Sequence, residues 1–189
     1  GQSNLYAHTF DFRVLEIDSH SPETYAAAVL AADEQGFDVI IVDSISMAWG
    51  GKDGALAQVD RAAKRYNGNS YFAWGDVTPM QHDMIDAILG AKAHVIVTLR
   101  SKMKHVIEED SSGKSVPVRV GFESVQRDNF EYEFDLELHM NQAHYCQIVK
   151  SRYEDLDGYG CDKPDRELSR YILEQLNLGE APKEEHWSD

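Results

Sequence analysis

Apolar residues in this chain fall first into short continuous runs and then, between them, into stretches with helical spacing. "FDVIIVD" (37–43) and "AHVIVTL" (93–99) are unbroken apolar runs, which predicts strands covered on both faces. "FRVLEI" (12–17) is a shorter strand candidate. In "SHSPETYAAAVLAADEQG" Ser21 is placed to cap a helix, Pro22 to occupy its first position and Gly36 to lie past its end. "GALAQVDRAAKRYNGN" (54–69) predicts an amphipathic helix closed by Asn67-Gly68. "TPMQHDMIDAILGAK" (78–92) predicts another, with Thr78 as cap and Pro79 in its first turn.

Strand, helix, strand, helix, helix, strand is the order of a parallel, helix-covered sheet. The second half of the chain changes character. "KMKHVIEEDSSGKSVPVRVGFE" (102–123) alternates around a polar glycine turn and predicts a protruding hairpin. "FEYEFDLELHMNQAHYCQIVKSR" (130–152) predicts two antiparallel strands joined near Asn141. "DRELSRYILEQLNLG" predicts a helix with Leu168, Tyr171, Ile172 and Leu176 on one stripe and Gly179 closing it. The expected architecture is therefore α/β: a mostly parallel, helix-covered sheet with a C-terminal antiparallel extension. The core is expected over residues 1–160, a helix packing on it over 161–179, and a solvated acidic tail over 180–189.

Composition narrows the partners. The chain has 189 residues, 42% of them hydrophobic, enough for one packed core. Its net charge of −15 argues against wrapping of nucleic acid by the whole surface, although one face can still carry a basic strip. No apolar run approaches the roughly 18 residues of a membrane span. The two cysteines, Cys146 and Cys161, make no disulfide framework, so a reducing cytoplasm is expected. His139, His144 and Cys146 lack metal-ligand spacing, and Ser44 and Ser46 have no nucleophile-elbow glycines around them.

Asp43 ends an apolar strand, at the edge where open α/β sheets bind ligands. There it either holds Mg²⁺ as the acid of a Walker B element or caps the following turn. Further residues bear on the choice. "DVIIVDS", "HVIVTLRSKMK", "VQRDNFEYEFDLEL" and "QIVKSR" together resemble the RecA-like ATPases, and in particular the ATP-binding RecA-fold proteins of phages and prophages that act in recombination or replication. The likeness spans roughly residues 1 to 160.

That resemblance implies a nucleotide-binding set of Asp43, Ser44, Gln126, Lys150 and Arg152. Asp43 would order Mg²⁺ through water, and Thr98 and Arg100 would sense the γ-phosphate. Lys150 and Arg152 would reach ATP bound by a neighbouring protomer. It also implies a DNA-binding role for Lys102, Lys104, His105 and Arg119 on the hairpin, with Lys114 nearby. Simpler readings stand beside each role: a polar strand rim for Thr98 and Arg100, a solvated strand end for Lys150 and Arg152, and ordinary surface charge for the hairpin cations. Gln126 and Arg127 would face nucleotide or DNA, or solvent. Trp49 and Trp74 read as core or interface aromatics, with Trp49 alternatively facing DNA. ATP and Mg²⁺ are the implied cofactors of the intact protein. Single-stranded DNA, further copies in a ring or filament, and a recombination or replication protein are the implied partners, in the cytoplasm of a bacterial host.

One part of such a site is missing from the sequence. G-x-x-x-x-G-K-[ST], whose amides and lysine cradle phosphate, does not occur. Gly113-Lys114-Ser115 is a decoy: Glu108 replaces the first glycine, Glu109 and Asp110 would repel phosphate, and no helix follows. The expected fold is thus RecA-like without its P-loop strand and helix, and the chain alone is expected neither to hydrolyse ATP nor to bind it tightly. It is then a piece of a longer protein, or another chain supplies the loop, or the ATPase function is lost. A non-catalytic module binding single-stranded DNA or protein is the alternative.

Overall fold

The structure is a computed structural model and describes residues 2–109 and 115–177. The chain divides into two compact units, Gly1–Phe130 and Glu131–Asp189.

Helix α1 (Pro22–Glu34) starts as its sequence dictates. Ser21 is extended and its hydroxyl accepts from the Thr24 amide, Pro22 stands at the first position, and Gly36 past the end has a φ of 76°. Strand β1 (Val39–Val42) pairs in parallel with β2 (His94–Val97), Val39 opposite His94 and Val42 opposite Val97. Between them lie α2 (Ser46–Gly50), α3 (Ala55–Ala63) and α4 (Ser70–Leu89). Helix α4 packs on both α1 and α3, so the helices of this unit bury one another through Val29, Val59, Val77, Met84 and Ile88. Asp33, near the end of α1, accepts from the amides of Lys92 and Ala93 at 2.8 and 3.0 Å, which pins the approach to β2.

Three expectations are corrected. Phe12–Ile17 forms no strand; with no neighbour among the described residues to complete a ladder, Phe12, Val14 and Leu15 stay exposed. The apolar runs of β1 and β2 are covered on one face only. Ile40 is buried, while Ile41 and Ile96 on the opposite face are 65% and 52% exposed, because α1 packs on β1 from a single side. Finally, Pro79 does not open a helix: α4 begins at Ser70, capped by the Asn69 side chain, and runs through Pro79. The helix tolerates the missing amide because its face at Ala73, Val77, Met84 and Ile88 is anchored on both sides of the proline.

Strands β3 (Ser101–Glu109) and β4 (Ser115–Ser124) form the expected antiparallel hairpin, with Lys102 opposite Glu123 and a register shift between Lys104 and His105. In the second unit, β5 (Leu136–Met140), β6 (Tyr145–Ser151) and β7 (Gly160–Asp162) form an antiparallel sheet in that order, with Asn141 at the predicted turn. Helix α5 (Arg166–Asn177) contributes buried Leu168 to a small core with Cys146, Ile148 and Leu156, and Tyr171 and Ile172 pack against it as their stripe predicts. The mixed α/β class expected from the sequence is the class observed. The tail over 180–189 lies outside the described residues.

Candidate nucleotide-site rim

The parallel pairing of β1 and β2 brings two chain-distant polar residues together. One step past the strand ends, the Thr98 hydroxyl donates to Asp43 Oδ1 at 2.6 Å. Backbone bonds hold the register beneath them, from the Thr98 amide to the Val42 carbonyl and from the Ile45 amide to the Thr98 carbonyl. Asp43 is exposed, so its carboxylate faces solvent at the carboxyl edge of the sheet. The peptide bond from Asp43 to Ser44 is cis.

Around this pair the chain is tied down by buried hydroxyls and amides. Ser46 is 2% exposed and its Oγ accepts from the Arg100 amide at 2.9 Å, which joins the segment after β1 to the segment after β2. The Tyr25 hydroxyl on α1 donates to the Ser44 carbonyl at 3.2 Å. Burial pushes the Tyr25 phenol above its ordinary range, so it remains a donor at neutral pH. Gln126 is buried and donates to the Ile45 carbonyl at 3.2 Å. Ser44 Oγ is buried and, among the described residues, has no hydrogen-bond partner. A buried hydroxyl in that state beside an exposed carboxylate suits an oxygen-seeking ligand.

This donor set fits a magnesium-phosphate group. Mg²⁺ commonly takes one or two carboxylates and completes its shell with water and phosphate oxygens. Asp43 offers the carboxylate, and Ser44 and Thr98 offer neutral oxygens.

The other predicted residues lie as follows. Lys102 pairs with Glu123 across the hairpin at 3.1 Å. Lys104, His105 and Arg119 are on the same hairpin, with His105 opposite Arg119, and Lys114 lies outside the described residues. Arg127 donates to the buried Gln81 amide oxygen at 3.3 Å and stands 5.9 Å from the Trp74 ring centre. In the second unit, the Lys150 ammonium donates to the carbonyls of Glu131, Tyr132 and Phe134 at 2.9, 2.7 and 2.7 Å. Arg152 follows β6 and pairs with Asp135 at 3.2 Å. Sequence reasoning missed Tyr25 and the bracing role of Ser46. Tyr25 could not be found from the pattern, because an apolar-face tyrosine in a helix looks the same with or without a hydroxyl partner.

The parallel pair β1–β2 thus sets an acid and a hydroxyl at its carboxyl edge, where open α/β folds bind ligands. A family model described as an AAA domain matches residues 5–158, and the chain belongs to that family of P-loop ATPase-type domains. No curated protein and no solved structure matches it. Among the described residues, no helix is long and apolar enough to cross a membrane.

Proposed function

We propose that this chain carries the magnesium and γ-phosphate rim of an ATP-hydrolysing site, in a phage- or prophage-type RecA-like protein that works on DNA in recombination or replication. The observation that carries the reading is the 2.6 Å bond between Thr98 and Asp43 at adjacent parallel strand ends. Asp43 holds the water shell of the cation. Thr98 keeps the carboxylate oriented and, with Arg100, faces the terminal phosphate. When bound there, magnesium supplies charge neutralisation for in-line phosphoryl transfer. Lys150 and Arg152 serve a neighbouring protomer in a ring or filament. Lys102, Lys104, His105 and Arg119 contact the backbone of single-stranded DNA. The setting is the cytoplasm of a bacterial host.

The 189 residues hold no phosphate-cradling loop, so hydrolysis requires one from outside them. The test is to determine the mass and N-terminal sequence of the natural gene product and to assay it with Mg-ATP. A product carrying such a loop should turn over ATP, and Asp43→Ala should lower kcat by roughly 10²- to 10³-fold. Undiminished turnover in that variant would overturn the role of Asp43.

A second reading, a non-catalytic module for single-stranded DNA or a protein, is favoured by the apolar sheet face that leaves Ile41 and Ile96 in solvent. It expects binding to single strands that weakens with salt and with Lys102→Ala and Lys104→Ala, and that does not respond to nucleotide.

A further inference from the structure

In the second unit, Cys146 on β6 lies directly opposite Cys161 on β7. Both are free thiols. Hydrogen bonds from the Ile148 amide to the Tyr159 carbonyl, and from the Lys163 amide to the His144 carbonyl, flank the pair on either side. Antiparallel ladders alternate, so Cys146 and Cys161 occupy a hydrogen-bonded position, where facing Cα atoms lie about 5.5 Å apart. Disulfides span Cα separations of about 4.4–6.8 Å. Directly opposed residues also point to the same face of a sheet, so neither backbone has to turn. Tyr145 leans over Gly160, where any Cβ would strike its hydroxyl. A slip of β7 by one residue, which would carry Cys161 to the other face, is thereby blocked.

The two sulfurs differ in access. Cys146 is 2% exposed and packs with Ile148, Leu156 and Leu168. Burial, with Cys161 beside it, pushes the Cys146 thiol up. Cys161 is only partly buried, at the margin of that core. A reagent in solvent therefore meets Cys161 first, and Cys146 is placed to resolve the product. Two thiols alone do not hold zinc, which takes four ligands, and among the described residues no three candidate ligands gather.

We propose that Cys146 and Cys161 form a reversible dithiol–disulfide couple, oxidised by low-molecular-weight disulfides such as glutathione disulfide. The Cys161 thiolate attacks one sulfur of the oxidant and releases one glutathione thiolate. Cys146 then gives its proton to water and attacks the Cys161 sulfur, which closes the cross-strand bridge and releases the second glutathione. Two protein thiols are oxidised, and one oxidant disulfide is reduced to two thiols. Opposed Cβ atoms stand roughly 1 Å further apart than in a relaxed bridge, so this bridge is strained and thiols reopen it. In a reducing compartment the resting form is the dithiol. Oxidation ties the short edge strand β7 to β6 and closes a loop over residues 147–160. That loop contains Lys150 and Arg152, and the bridge restrains the segment that bears them.

The experiment uses the reduced, folded 189-residue chain, equilibrated in glutathione buffers of rising oxidised fraction. Free thiols are then blocked with iodoacetamide, and intact and peptide masses are read. The expected product is a monomer that has lost two hydrogens, carries neither glutathione nor alkyl group, and links Cys146 to Cys161. It should return to the dithiol when reduced glutathione is restored. Cys146→Ala should instead keep one glutathione on Cys161, and Cys161→Ser should leave Cys146 unmodified. Should either variant fail to fold, the wild-type masses decide by themselves. Two blocked thiols throughout the series, a lasting glutathione adduct, or a bridge between two chains each overturns the couple. A bridge that resists reduced glutathione overturns its reversibility. Amide exchange across 147–160 should slow in the bridged form, and unchanged exchange overturns the restraint on that segment.

Discussion

Replacing Lys150 with methionine keeps the length of the side chain and removes its ammonium. In the second unit that ammonium donates to three carbonyls, of Glu131, Tyr132 and Phe134, and stands 5.5 Å from the centre of the Tyr132 ring. Lys150 sits on the face of β6 that also carries buried Cys146 and Ile148, so its stem packs inward while its head closes the turn. A hydrogen bond to a charged donor is worth about 1.5–3 kcal/mol, but one ammonium shared among three carbonyls at a part-exposed site gains less for each. A total loss of about 3 kcal/mol is expected, since the carbonyls lose their donor and regain only partial hydration. With a urea slope of roughly 2 kcal/mol/M, the unfolding midpoint should fall by about 1.5 M. Far-ultraviolet circular dichroism against urea, for the wild type, Lys150→Met and Lys150→Arg, measures it. A midpoint shift in Lys150→Met below about 0.3 M would refute the reasoning and mark the ammonium as loosely held, hence available to a phosphate. A large shift means that any phosphate role must first break these three bonds.

Three further outcomes are expected. Met84 is 1% exposed on the core stripe of α4, and Met84→Ala should cost about 2–5 kcal/mol in chemical unfolding. Pro79 interrupts the α4 ladder where its amide would have bonded the Gly75 carbonyl, so Pro79→Ala should stabilise the chain by ~1–2 kcal/mol; a lower melting temperature would contradict this. Tyr25, through burial, and Tyr66, through its hydrogen bond to Asp76, both have pKa values raised from the ordinary 10.0. The folded state therefore holds these protons more tightly than the unfolded chain. The stability they contribute is present below pH 10 and is lost as pH rises through the folded values, which a spectrophotometric tyrosine titration alongside unfolding will follow.

Local signals carried much of the secondary structure. The Ser21-Pro22 start of α1, the Asn67-Gly68 stop after α3 and the turn at Asn141 each rest on contacts within a few residues. Pro79 defeated the same logic because the cost of a proline inside a helix is paid by packing on both sides of it, and packing partners are distant in sequence. Phe12–Ile17 failed for the converse reason: a strand exists only with a partner, and an apolar hexamer says nothing about whether one is present.

The candidate site divides in the same way. Sequence alone determined that an apolar strand would deliver Asp43 to a sheet edge, because continuous apolar runs are strands or buried helices and this one is short and bounded by Gly36 and Gly50. It also determined the α/β class and the absence of a phosphate loop within these residues. Only the tertiary structure decided that β1 and β2 are parallel neighbours, which sets Thr98 against Asp43 across 55 positions of chain, and that Ser46 braces Arg100. Only the fold, too, stacked Trp49 on Trp74 and brought Arg127 beside them. Strand pairing and ring stacking are relations between distant segments, fixed by how apolar faces pack, and no local pattern encodes them.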